Sequence, residues 1–80
     1  MNWRDFVHSD AKILLGKPVF RGTRISVELV LEELASGASV EEVLEAHPTI
    51  SREHVRAGLA YAADSIKGDE MVLLGPETAQ

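Results

Sequence analysis

From residue 26 to residue 66 apolar side chains recur at helical spacing, and before residue 26 they do not. Val27, Val30, Leu31 and Leu34 fall at i, i+3, i+4 and i+7, the pattern of one apolar stripe on an amphipathic helix. Val40, Val43 and Leu44 form a shorter stripe, and Val55, Leu59, Ala62 and Ile66 a longer one. A serine precedes each stripe: Ser26, Ser39 and Ser51 are placed to accept a hydrogen bond from the unpaired amides of a helix start. Ser39 with Glu42 has the spacing of a reciprocal capping box. Gly37 supplies the left-handed residue that closes a helix, and Pro48 ends the second one. Gly58, inside the third stripe, weakens that helix and points to close approach by a neighbouring helix. The pattern predicts helices near residues 27–36, 40–47 and 52–66.

The first 25 residues read differently. Gly16, Pro18 and Gly22 interrupt them, and Ile13-Leu14-Leu15 and Val19-Phe20 read as short extended pieces of an arm or hairpin. Lys17, preceding a proline, is pushed toward an extended backbone, and Gly22 can take the positive φ of a turn before Thr23. Beyond the third helix, Glu70 to Leu74 forms a short apolar segment before Gly75-Pro76. It reads either as a strand in which Val72 and Leu74 pair with Ile13 to Leu15, or as a docking peptide of Met71, Val72, Leu73 and Leu74 for a partner. The expected fold is mainly α: one domain with an arm or short β segments over residues 1–25, a three-helix helix-turn-helix-like core over 26–67, and an extended segment and tail over 68–80.

Composition narrows the function. A chain of 80 residues holds one core of modest stability, which favours a homodimer. The absence of cysteine removes thiolate zinc sites and disulfides, and a reducing, cytoplasmic setting is expected. Arg4 and Asp5 interrupt any export signal at the start, and no apolar run approaches the length of a membrane span. His8, Asp10, His47 and His54 lack metal-ligand spacing, and no phosphate loop or nucleophile elbow occurs, so neither catalysis, nor a metal, nor a cofactor is expected. His47 reads as a helix-end residue favoured by the helix dipole.

The net charge of −5 is unevenly spread. Residues 1–25 carry Arg4, Lys12, Lys17, Arg21 and Arg24 against Asp5 and Asp10, whereas residues 26–50 carry six glutamates and no lysine or arginine. The link His47-Pro48-Thr49-Ile50 between the second and third helices is short enough for a helix-turn-helix, in which the start of the third helix enters the DNA major groove. Arg52, His54 and Arg56 then face phosphates or base edges. Lys17, Arg21 and Arg24 could follow the minor groove from the arm. Two other readings stay open: a plain three-helix bundle whose arginines face solvent, and arm cations that pair with glutamates of the first helix. The six glutamates must in any case face away from a duplex.

The run Gly16-Lys17-Pro18-Val19-Phe20-Arg21-Gly22-Thr23-Arg24-Ile25, then Gly37-Ala38-Ser39-Val40-Glu41-Glu42-Val43-Leu44, His47-Pro48 and Val55-Arg56-Ala57-Gly58-Leu59, resembles the family numbered 433 among domains of unknown function. The resemblance runs from about Ser9 to Leu74. Members often carry a second glycine where this chain has Leu15, and proline at Ser26 and at Ala11. It implies a helix-turn-helix-like antitoxin that neutralises a PIN-like ribonuclease, and the helix-turn-helix spacing adds binding to its own promoter DNA. The alternative is a homodimeric protein-interaction module that does not bind DNA.

Overall fold

A computed structural model of the chain describes residues 1–68. Two short strands, β1 (Val7–His8) and β2 (Val19–Phe20), precede three helices, α1 (Val27–Ala35), α2 (Val40–Ala46) and α3 (Arg52–Gly68). Single 3₁₀ turns occupy Trp3–Asp5 and Leu14–Gly16. The expected mainly helical class and the order of three helices hold, with ends shifted by one or two residues.

The helices start and stop where local chemistry dictates. Ser26 Oγ accepts from the Leu29 amide at 3.0 Å. Ser39 Oγ accepts from the Glu42 amide at 3.0 Å while Glu42 Oε1 accepts from the Ser39 amide at 2.8 Å, which completes the capping box. At the end of α1 the Gly37 amide reaches Leu34 O and the Ala38 amide reaches Glu33 O. This is a Schellman closure, and it needs the left-handed backbone that Gly37 supplies at φ 105°. Ser51 precedes α3, and its partner three residues on is His54, whose Nδ1 accepts from the Ser51 amide at 3.0 Å.

The arm corrects one expectation. Val19–Phe20 is extended as expected, but it pairs antiparallel with Val7–His8, in the register Val7 with Phe20 and His8 with Val19. Of Ile13-Leu14-Leu15 only Ile13 is extended; Leu14 and Leu15 lie at φ 50° and 58° and turn the chain into Gly16. A left-handed backbone interrupts a ladder, and among the described residues these two pair with no strand. Glu70 to Leu74, the other half of that expected pairing, lies outside the described residues, as does the rest of the expected C-terminal extended segment.

Phe20 and Val19 are fully buried, together with Val7, Val27, Val30, Val43, Val55 and Ala57. The hairpin therefore belongs to the core and is not a loose arm. A Cβ at Gly58 would lie 3.2 Å from Phe20 Cζ and 3.4 Å from Val27 Cγ1. The close approach that this glycine signals thus comes first from a strand residue and second from helix α1. At the other end of α3, Trp3 Nε1 donates to Asp64 Oδ2 at 2.6 Å and the Trp3 ring meets Tyr61 edge-on at 4.9 Å. These contacts tie the start of the chain to the last turns of the longest helix.

Candidate nucleic-acid interface

Helix α3 follows α2 through a five-residue connection, and its first turns present three of the residues expected to read DNA. Arg52 and Arg56 are exposed and stand one helical turn apart, at the i, i+4 spacing that places them on one face. With Val40, Val55 and Leu59 they line a shallow hollow of about 150 Å³. His54 is engaged differently. It is half-buried, its ring lies edge-on to Phe6 at 5.3 Å and to Phe20 at 5.7 Å, and Nδ1 receives the Ser51 amide. Accepting that hydrogen bond leaves the ring proton on Nε2. The residue locks the start of α3 onto the hairpin.

Arg52 donates to Glu41 of α2, and both side chains remain well exposed. That hydrogen bond, a second one from the Glu41 amide and the guanidinium charge together hold the Glu41 carboxyl below its ordinary range. Solvent screens an exposed pair of this kind, so it contributes little to stability. Arg56 makes no ion pair or side-chain hydrogen bond among the described residues, and it is the freer of the two cations.

The arm cations divide. Lys17 Nζ pairs with Glu28 Oε1 at 3.2 Å, which realises the alternative in which an arm cation meets a glutamate of the first helix. Arg21 Nε donates to the Arg4 carbonyl at 3.0 Å, across the hairpin. Arg24 is exposed in the turn after β2. His47 caps the end of α2, as its position suggests, and its Nε2 meets both Glu33 carboxylate oxygens at 3.0 Å, bridging α2 to α1. Met71, Val72, Leu73 and Leu74, the expected partner-binding segment, lie outside the described residues.

Residues 7–62 match the family described as a protein of unknown function, DUF433. The chain belongs to the DUF433 family. The match spans β1, β2, α1, α2 and α3 as far as Ala62, so the hairpin that buries Phe20 is part of the DUF433 unit. The uncharacterized protein y4eO of Sinorhizobium fredii is 43% identical over 70 residues, which are 86% of this chain and 32% of that protein. The chain therefore spans about a third of that relative's length. No solved structure matches. Among the described residues no helix is long and apolar enough to cross a membrane, and no cluster of three or more His, Asp or Glu is placed to hold a metal ion.

Sequence reasoning passed over one surface of this DUF433 chain. Leu29 sits on α1 opposite the Val27, Val30, Leu31 and Leu34 stripe and is 40% exposed, beside Leu14 at 41% and Leu15 at 96%. An apolar residue off the stripe was the available signal.

Proposed function

We propose that this DUF433 protein is the antitoxin of a toxin–antitoxin pair and binds its promoter DNA through the first turns of α3. The observation that carries the reading is the exposed pair Arg52 and Arg56, one turn apart at the start of a helix that follows a short turn from α2. The helix dipole at the start of α3 favours a phosphate there, so the arginines and the helix act on the same group. A homodimer in the cytoplasm, presenting two such helices, would bind where one is too weakly charged, given the overall charge of −5. The partner toxin is a PIN-like ribonuclease, on the strength of the family resemblance.

A mobility-shift assay with the DNA upstream of the gene tests the reading. The native chain should shift it at low salt, and Arg56→Ala should weaken binding and lower the salt slope by about 1, the signature of one lost phosphate contact. One observation favours a second reading, a protein-interaction module without DNA binding: Glu41 already neutralises Arg52 beside the acidic α2. Absence of any shift at low salt selects that reading.

A further inference from the structure

The outer face of α1 and the turn before β2 enclose a groove of about 520 Å³, its apolar wall made by Leu14, Leu15 and Leu29 and its charged rim by Lys17, Glu28 and Glu32. The groove continues along α1 past Glu33 toward Ala38. We propose that this groove is the docking site for a basic amphipathic helix of a partner protein, whose apolar ridge seats on the three leucines and whose lysines or arginines meet the glutamates of α1.

Two independent observations support it. The first is the backbone at Leu14 and Leu15, both left-handed, with Leu15 almost wholly exposed. That conformation is unfavourable for leucine, and the fold gains no burial from Leu15 in return. Strain held without a gain in packing marks a site whose return comes from something bound. The second is charge. Residues 26–50 carry six glutamates and no lysine or arginine, and three of these glutamates, Glu28, Glu32 and Glu33, border the groove and its continuation; Lys17, which pairs with Glu28, offsets one of them, and the rim stays net negative. An apolar trough with an anionic rim complements a helix with an apolar ridge and cationic flanks.

The same charge decides against a second copy of this chain. A two-fold contact would set α1 against α1, with glutamates facing glutamates, and a head-to-tail contact would not close into a dimer. The inference rests on the antitoxin reading only for the partner's role as a toxin; the groove itself is independent of DNA binding.

The test uses the full chain and a fluorescein-labelled leucine–lysine amphipathic peptide long enough to form a helix, followed by anisotropy. The peptide should bind, whereas a lysine–serine peptide of equal charge and a leucine–glutamate peptide should not. Leu29→Glu and Leu15→Gly should each weaken binding by about tenfold or more, the effect of losing an interface anchor. Leu15→Gly should at the same time melt higher than the native chain, because glycine accepts the left-handed backbone, so weaker binding cannot be ascribed to unfolding. A chain with Glu28→Lys and Glu32→Lys should prefer the leucine–glutamate peptide. Arg56→Ala should leave peptide binding unchanged even where it abolishes the DNA shift, which separates this inference from the DNA reading. The inference is overturned if the leucine–lysine peptide does not bind, if the lysine–serine peptide binds as well, or if Leu29→Glu and Leu15→Gly bind like the native chain. It is overturned equally if sedimentation shows a dimer that Leu29→Glu dissociates, since the groove would then belong to a second copy.

Discussion

Two apolar pairs lie a few residues apart near the start of the chain, and they have opposite fates. Val19–Phe20 is fully buried in an extended backbone, and its neighbours hold it there: the Phe20 amide donates to Ile25 O at 3.0 Å and the Arg21 amide to Phe6 O at 2.8 Å. Leu14–Leu15 is exposed in a left-handed backbone that leucine disfavours. Hydropathy does not distinguish the two pairs. What distinguishes them is whether the backbone can hydrogen-bond in a conformation that aims the side chains inward. Pro18 fixes the chain between them, and only the pair after it gains a strand partner.

The strongest way to break this comparison is to empty the buried pair. Phe20→Ala removes the ring that packs on Gly58, Val27 and His54, and it should destabilise the chain by about 3–5 kcal/mol in urea denaturation, the usual cost of such a deletion. For a domain of this size that is most of the expected stability, so loss of a cooperative transition is an acceptable form of the result. A cost near that of a surface substitution would mean that the hairpin is not part of the core.

The exposed pair predicts the opposite sign. A left-handed leucine costs about 1–2 kcal/mol, and glycine returns about 0.5–1 kcal/mol of that through its freer unfolded chain. Leu15→Gly should therefore stabilise the chain by about 0.5–1 kcal/mol, read from the shift of the urea midpoint. Destabilisation would show that Leu15 contributes packing that its 96% exposure does not suggest.

The smallest effect concerns an exposed contact that carries no strain. Arg52→Ala should move the midpoint of the Glu41 carboxyl upward by NMR, part of the way to its ordinary range because the hydrogen bond from its own amide remains, while the urea midpoint at neutral pH stays where it was. The sign follows from the direction of the shift. A carboxyl held low in the folded chain favours folding above its unfolded range, and that contribution disappears as pH falls through the lowered value. With both groups exposed to solvent the contribution is slight.

The three helices were legible because their signals are local. Ser39 with Glu42, Gly37 and the apolar stripes each specify a few consecutive residues, and tertiary packing agrees with them. The hairpin was legible only in half. Val19–Phe20 shows its character, but Val7–His8 is a two-residue strand defined by its partner, too short for any period to declare it. The turn at Leu14–Leu15 has no such signal, because leucine is a poor marker of a left-handed backbone. On α3, Arg52 and Arg56 were legible as exposed cations from the helical period, whereas the capping role of His54 depends on the hairpin rings that cover it.

The hydrogen bond from Trp3 to Asp64 joins residues 61 apart in sequence. A contact that closes so long a loop meets most of its entropic cost before any reward, while the helices and the hairpin need only neighbours. Residues 1–25 cannot complete their packing until α3 has been made, so a nascent chain stopped after α2 would hold a hairpin with no floor beneath Phe20. Trp3 is the single tryptophan, and its ring sits between Arg4 and Tyr61. Its emission during refolding therefore times the docking of α3, and it stays silent about the earlier, local steps.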